Sequence, residues 1–551
     1  MSTNNKSNNH IPADGLAGLK QFFKKDALSG FLVFLLALPL SLGIAKASDF
    51  PPIFGLVTAI IGGVIVSFFS GSRLTIKGPA AGLIVIASGS VAAFGGGIIG
   101  WQLTLGTIVV AGLIQILFGK LKLGKLADFF PSAAIHGMLA AIGIIIMSKQ
   151  IHSLLGIDPK LLKGKEPLEL LAMIPSSIMH ENAHITEIGL SCLVILILFS
   201  LIKNEKIKKI PAPLVVLIVA VPLGIALHIK TEGEVANFAL VKIGSIFDSF
   251  KNGIINADFS GITNHTGTFI EYVILFALIG SLESLLTAKA IDIMDPFKRK
   301  SDFNKDLVAV GIGNTIAGLL GGLPMISEVA RSSANVANGA VTRWANFFHG
   351  LFLLAAVLVA VPVIEMIPNA ALASMLIYVG FRLAHPKEFI HMWHIGKQQF
   401  VIFTSTVVIT LATDLLIGVA AGILIKFIFS LVNGTSIRDL FRIEAQIIPQ
   451  SESEYTMHVG GELLFSNILG FKNKFSELPK GKNVLIDVSD TRIIDHTSFV
   501  TLNGLMEDYK INGGSAVLIG LENHRQLGHA PTSARVLKVK QAKLKNINPS
   551  Y

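Results

Sequence analysis

The sequence predicts an α-helical polytopic membrane protein followed by a small soluble α/β domain, and three observations carry that prediction. Hydrophobic residues make up 52% of the 551 and charged residues 15%, a balance too apolar for a soluble multidomain chain. The Lys and Arg residues behind the net charge of +10 gather in short segments between apolar runs, not in one patch, which is the positive-inside pattern and argues against nucleic acid. After about Asn433 the apolar runs shorten to strand length and charges spread evenly.

The elements follow in order. The polar start MSTNNKSNNH is expected to be disordered, and Lys24 and Lys25 place the 1–25 tail in the cytoplasm. No small-residue cleavage site follows the first apolar run, so that run, Ala27 to Ala47, serves as the insertion signal, with a kink expected at Pro39. Ile53 to Ser70 returns, and Arg73 and Lys77 mark the inner face. Leu103 to Phe118, Ser132 to Ser148, Ile185 to Ile202 and Ala212 to Leu227 alternate across the membrane. Lys120, Lys122 and Lys125, then Lys203, Lys206, Lys208 and Lys209, form inner loops, and 150–184 reads as external. A polar seam from His228 to Thr268 separates two halves. Beyond it lie Phe269 to Ala290, Leu307 to Leu320, Phe347 to Met366, Ala370 to Phe381, Phe400 to Leu416 with Asp414 near its end, and Gly418 to Leu431 with a snorkelling Lys426. Strands are expected at Tyr455 to Val459, Leu463 to Phe465, Val484 to Val488 and Ala516 to Ile519, with a helix over Phe499 to Lys510. The single cysteine, Cys192, lies inside an apolar run and reads as a small core residue.

Two polar, proline-broken stretches complete the count of seven crossings per half. LTIKGPAAGLIVIASGS runs from Leu74 to Ser90, and GGLPMISEVARSSANVAN from Gly321 to Asn338. Interrupted helices at membrane depth are costly and persist where irregular backbone lines a cavity, with helix N-termini aimed at an anion. Pro79 is expected at the first helical position, where its missing N–H costs nothing. Ala80, Ala81 and Gly82 are small enough for close approach by a ligand. Seven crossings per half invert the second half relative to the first.

Taken together these features resemble the SulP family of anion transporters, the bacterial relatives of the solute-carrier group that contains prestin. The likeness runs from Asp26 to the C-terminus, through DALSGFLVFLLALPLSLGIA, KGPAAG, PSAAIHGMLAAIGIIIMSKQ, SLESLLTA and GGLP with Arg331 and Asn335. GELLF and VLIDVSDTRIIDHTSF resemble a STAS domain. The resemblance implies fourteen spans as a 7+7 inverted repeat, 26–228 and 267–433 within a membrane domain of 26–433. It implies a core and a gate domain moving as an elevator, and a cytoplasmic STAS domain over 440–551. It further implies an anion held between Gly78, Pro79, Ala80 and Ala81 on one side and Val329, Ala330, Arg331 and Ser332 on the other.

Glu283 lies inside an apolar span, and the analogous carboxylate of the family is associated with coupling to a proton or a sodium ion. With Thr287 one turn later it offers hard oxygen ligands for sodium; protonation is the alternative, and a structural pair with Lys289 or Arg331 is the bland one. Arg331 could hold a divalent oxyanion or merely neutralise Glu283 or Glu328. Glu328 stands where the family has a small or hydroxyl residue, which adds a titratable group. Ser327, Ser332 and Ser333 are candidate donors, and Gln150 matches a recurrent family glutamine. His136 reads as a core histidine. In the tail, Thr497 and Ser498 after Asp495 occupy the turn at which related STAS domains are phosphorylated.

The expected function is secondary transport of a small inorganic anion, sulfate or bicarbonate first, as a proton- or sodium-coupled symporter. The expected setting is a homodimer in the inner (plasma) membrane with both termini cytoplasmic, no other cofactor, no nucleic acid, and room for a cytoplasmic partner on the STAS domain. The chain is not expected to be an enzyme, since no hydrolytic triad, metal cluster or phosphate-binding loop is visible. The rivals are a nucleobase carrier of the related fold and a non-transporting receptor or scaffold. A polar cavity at the two interrupted helices separates transport from the scaffold reading.

Overall fold

The computed structural model describes residues 12–125, 130–162, 165–204, 207, 210–230, 238–243, 255–413 and 415–538; Lys206, Lys208, Lys209 and Asp414 lie outside them. By packing, the chain divides into two units, Met1–Gly124 with Ile142–Leu383, and Lys125–Ala141 with Ala384–Tyr551.

The first unit opens with α1 (Gly15–Ala47), which runs on through Pro39. It starts earlier than the apolar run because Asp14 caps it, accepting from the Gly15 N–H at 2.9 Å, and because the buried Asp26 accepts from Val341 N at 2.7 Å and Thr342 N at 3.1 Å. The polar start MSTNNKSNNH lies outside the described residues, and the 1–25 tail is helical from Gly15 onward. There follow α2 (Ile53–Ile60), prolonged by a π turn, then β1 (Ile76–Pro79), a 3₁₀ turn Ala81–Leu83, α3 (Ile84–Ala93), α4 (Gly97–Lys120) and α5 (Ser132–Leu154), whose residues up to Ala141 belong to the second unit.

The segment read as an external loop contains α6 (Pro167–Met179), started by a Glu166/Glu169 capping box. Next come α7 (Ala183–Leu201), α8 (Ala212–Ala226), α9 (Thr266–Met294), α10 (Phe303–Leu319), β2 (Met325–Glu328), α11 (Val329–Ala337), α12 (Trp344–Val359) and α13 (Asn369–Leu383). The expected single span to Met366 breaks at Ala360, because Pro362 enters a new one-turn helix, Val361–Ile364. Of the seam between halves, the described part holds one isolated bridge, Leu240 to Pro368, and a one-turn helix Gly261–Asn264.

Six described helices are long and apolar enough to cross a membrane: α1, α4, α5, α7, α9 and the later Leu415–Val432; five shorter apolar helices accompany them. The expected spans around the two interrupted stretches are short for a simple reason. Each spends its entry residues as extended backbone. α4 and α10 pack so closely that a Cβ on Gly112 would come within 2.8 Å of the Gly311 carbonyl oxygen, and one on Gly311 within 2.6 Å of that of Gly112. Cys192 is buried among Ile188, Leu196, Val216 and Met375, as a packing residue.

The second unit contains α14 (Pro386–Ile395), unforeseen from sequence, then α15 (Lys397–Ala412), α16 (Leu415–Val432), and the C-terminal domain. That domain comprises β3 (Glu444–Pro449), β4 (Glu454–Leu463), α17 (Ile468–Phe475), β5 (Asn483–Asp487), β6 (Thr491–Ile494), α18 (His496–Ile511), β7 (Ser515–Ile519), β8 (His524–Gln526) and β9 (Arg535–Leu537). The sheet runs β7-β5-β4-β6-β9-β8, with β3 antiparallel to β4 and β5 and β6 parallel to it. The strand expected at Tyr455 to Val459 runs on as β4 to Leu463, and Leu464 and Phe465 of the second expected strand lie beyond its end. β3, β6, β8 and β9 were not foreseen, since they are short or lie with one face exposed. Met457, Val459, Leu463, Phe471, Ile486 and Leu502 form the core beneath the helices.

Candidate functional site

The two interrupted stretches meet. β1 and β2 pair antiparallel, with Ile76 opposite Glu328, Lys77 opposite Ser327, Gly78 opposite Ile326 and Pro79 opposite Met325. Backbone groups that an unpaired strand would leave unsatisfied inside a membrane domain are thereby matched. Each strand then turns into its short helix, α3 or α11. Pro79 is the last residue of β1 rather than the first of a helix: Ala80 is extended at φ −109°, ψ 137°, and the 3₁₀ turn begins at Ala81.

A network that the sequence reading missed fixes this ribbon. Lys77, expected at the inner face, is fully buried. Its Nζ donates to Asp306 Oδ1 at 2.8 Å and Oδ2 at 3.0 Å, to Thr75 Oγ1 at 2.6 Å and to Ser327 Oγ at 2.7 Å. Asp306 also accepts from Ser70 Oγ at 2.8 Å, Ser72 N at 3.2 Å and Ser327 Oγ at 3.1 Å. Every charge here is paired and hydrogen-bonded, the condition under which a buried ion pair persists. Asn314 adds a clamp, accepting from Met325 N at 2.6 Å and donating to Met325 O at 3.1 Å. Asn335 donates to Leu74 O at 2.9 Å, tying α11 to the approach of β1.

Around the ribbon sit the charged residues. Arg331 is fully buried, and none of Nε, Nη1 and Nη2 has a hydrogen-bond partner among the described residues. Its Nη1 comes within 2.6 Å of where a Cβ on Gly78 would stand, so only glycine leaves the guanidinium this berth on β1. Glu283 is buried on α9, and a Cβ on Gly82 would collide with both its carboxylate oxygens; Oε1 has no hydrogen-bond partner among the described residues. The bland pairing of Glu283 with Arg331 is not made as a hydrogen bond among the described residues. Thr287, also buried, follows one turn later on the same helix.

Glu328 is the N-cap of α11, its Oε2 accepting from Arg331 N at 2.7 Å. It lies within Coulombic reach of both Glu283 and Arg331. Of the first-turn residues, Val329 is exposed and Ala330 borders a cavity of about 300 Å³ that reaches along α11 past Ala334 to Asn338. Ser332 Oγ is engaged, accepting from Ile76 N at 2.9 Å and donating to Glu328 O at 2.5 Å. Ser327 is held in the Lys77 network, and Ser333 touches Met294 sulfur at 3.7 Å. His349 of α12 was not foreseen: it is fully buried, neither ring nitrogen has a hydrogen-bond partner among the described residues, and it lies within Coulombic reach of Arg331. Its motif, WANFFHG, sits in an apolar run that gives no sign of this.

Gln150 is buried in α5, and His136, expected in a core, is 43% exposed and paired with Glu388 at 3.2 Å. In the C-terminal domain, Asp495 caps α18 by accepting from Ser498 N at 2.8 Å, and Lys426 Nζ lies 3.3 Å from its Oδ2. That ammonium and two backbone donors hold the Asp495 carboxyl below its ordinary range against the opposing effect of burial. Thr497 Oγ1 accepts from Ser132 N at 3.2 Å, and Ser498 is fully buried.

The sequence matches the description of the sulfate permease family over residues 23–406. The chain belongs to that family. Its members named here are membrane transporters, not enzymes. This sulfate permease family member is 28% identical over 511 residues to "Putative sulfate transporter YvdB" of Bacillus subtilis, covering 91% of this chain and 92% of that one. It is 25% identical over 411 residues to the bicarbonate transporter BicA of Picosynechococcus, covering 74% of this chain and 70% of BicA. The solved transmembrane domain of a cyanobacterial BicA superposes with a TM-score of 0.62 at 24% identity, covering 73% of this chain and 97% of that chain. Murine Slc26a9, an anion transporter solved in the inward-facing state, superposes with a TM-score of 0.64 at 15% identity, covering 91% and 86%. The family member thus has their fold, and its C-terminal sheet domain fits a STAS domain.

Proposed function

We propose that this sulfate permease family member is a secondary transporter of a small inorganic anion, sulfate or bicarbonate, coupled to the inward movement of a proton or a sodium ion. The observation that carries the reading is Arg331. A fully buried guanidinium without a hydrogen-bond partner is costly, and an oxyanion between the starts of α3 and α11 would satisfy it. On this reading Gly78, Pro79, Ala80 and Ala81 line one side of the anion, and Val329, Ala330, Arg331 and Ser332 the other. The cavity bordered by Ala330 is the approach.

Glu283 is the coupling group. Its unpartnered Oε1 with Thr287 nearby is a donor set that fits sodium, and the same carboxylate can instead take a proton; Glu328 is the second titratable group. The proposal extends to fourteen spans as a 7+7 inverted repeat, elevator-like motion, a homodimer, and a place in the inner membrane with both termini cytoplasmic. The named relatives, one described for sulfate and one for bicarbonate, keep both substrates in view.

The test is uptake of labelled sulfate and of labelled bicarbonate into proteoliposomes under imposed proton or sodium gradients, for the wild type and Glu283→Gln. Gradient-driven uptake that loses its coupling in the folded variant is the expected result. No gradient-dependent uptake of either anion by the wild type would overturn it.

A further inference from the structure

The C-terminal domain leaves one face of its sheet open among the described residues. Along the neighbouring strands β7, β5, β4 and β3, side chains alternate between the two faces. Ala516, Val484, Ile486, Met457 and Val459 belong to the core shared with Phe471 and Leu502. The residues of opposite parity fall in one row across the strands: Val517 opposite Leu485, Leu485 opposite Thr456, and Thr456 opposite Ile448. Val517 is 48% exposed, Leu485 and Ile448 are each 43% exposed, and Ile519, next on the same face of β7, is 37% exposed. Cross-strand partners stand about 5 Å apart, so the register itself makes a continuous apolar stripe. Such a stripe on a soluble domain marks a surface that something covers.

Charge frames the stripe. The charged strand residues on this face are Glu444, Glu454, Asp487 and His458. His458 is already engaged, its Nδ1 3.4 Å from Asp487 Oδ2 and its Nε2 3.5 Å from Asp490 Oδ2. Apolar surface bordered by carboxylates has as its complement a basic segment interspersed with apolar residues.

The chain carries such a segment close by. Residues 539–551, VKQAKLKNINPSY, lie outside the described residues; they contain Lys540, Lys543 and Lys545, no Asp or Glu, and the apolar Val539, Leu544 and Ile547. Lys538, just before them, donates its N–H to Asn523 O at 2.8 Å, and Asn523 is four residues beyond Ile519, the end of β7. Four residues of chain and one hydrogen bond put Lys538 within about 20 Å of Ile519, and thirteen extended residues reach about 45 Å. Crossing from β7 to β3 takes three strand spacings, about 14 Å. The segment therefore reaches the whole stripe. A second copy of the face would instead bring the same carboxylates against one another.

We propose that residues 539–551 of the same chain cover this open face, their apolar side chains on the stripe from Val517 to Ile448 and their lysines beside Glu444, Glu454 and Asp487. Because the segment is tethered, its effective concentration at the face is about millimolar, and a weak contact holds it there. The face is then conditional: another protein docks on it only once the segment has left.

The experiment uses the full chain, purified in detergent and treated with a carbodiimide, which joins an ammonium to a carboxylate only where the two touch. Unlabelled and isotope-labelled protein are mixed beforehand, and the linked peptides are read by mass spectrometry. Links from Lys540, Lys543 or Lys545 to Glu444, Glu454 or Asp487 are expected, each within one isotope. They should fall severalfold in about 0.5 M salt, which screens exposed charges. Leu485→Lys with Val517→Lys, both at exposed positions, should abolish them. The link between Lys474 and Glu477, whose Nζ and Oε2 are 2.7 Å apart on the other side of the domain's core, reports that the variant is folded and the reagent active. Mixed-isotope links to the face would show a second copy there and overturn the proposal. So would links that persist in the double variant, or their absence from the wild type while Lys474 and Glu477 are joined.

Discussion

Glu328 holds Arg331 by its backbone and not by a hydrogen bond to its side chain: Oε2 accepts from Arg331 N at 2.7 Å, while the guanidinium, within Coulombic reach of Glu328, makes no hydrogen bond among the described residues. A carboxylate from the chain thus already occupies one donor at the start of α11, where an anion is expected. What remains for a substrate on this side is the arginine side chain and the earlier N–H groups of the turn.

If Arg331 exists for the anion, replacing it should harm transport without harming the fold. Arg331→Met is expected to lower anion uptake by at least about tenfold, the effect of one lost charge-assisted contact. The thermal midpoint of the substrate-free protein should stay level or rise, since an unpaired buried charge is removed. A large fall in that midpoint would show instead that the guanidinium holds the structure together.

Gly82 has no room for a side chain because Glu283 fills it. Gly82→Ala should destabilise by about 1–3 kcal/mol through overpacking, read as a lower melting temperature. Gly82→Ala combined with Glu283→Ala should recover most of that stability and still fail to couple uptake to an ion gradient. Failure of the double variant to recover would place the clash elsewhere.

The Lys77–Asp306 pair, exposed by 0 and 1%, is a test of geometry rather than of transport. Lys77→Met or Asp306→Leu alone strands a charge and should cost about 3–5 kcal/mol. The double replacement should cost much less than the sum, as a double-mutant cycle on thermal or denaturant unfolding would reveal.

The link between Lys426 and Asp495 carries a pH signature. A carboxyl held below its unfolded value contributes stability above about pH 4, and that contribution is lost as pH falls through the folded-state value. The wild type should therefore lose more stability on acidification than Asp495→Asn, which begins less stable at neutral pH. Parallel stability profiles for the two would contradict the linkage. A phosphate on Thr497 would also have to displace its contact with Ser132.

How much of this was legible in the sequence depends on the range of the interaction. Apolar run length and the charge between runs gave the membrane helices, because a bilayer selects on composition over local stretches. KGPAAG and GGLP showed the two interruptions, because proline and glycine act on their own backbone. The burial of Lys77 was not legible, because its partner Asp306 is 229 residues away. α14 and the broken α12 were missed, being set by a turn and a proline within otherwise apolar segments.

The sequence by itself determined a two-part protein, membrane helices and a small α/β domain, and marked the two segments where helix gives way. Pattern and composition act locally, so they survive in the linear chain. Only the tertiary structure decided that β1 and β2 pair, that Gly78 and Gly82 make berths for Arg331 and Glu283, and that Glu328 caps α11 instead of standing free. Those relationships need atoms from distant segments at contact distance, and no local preference encodes which distant residue will fill the space a glycine leaves.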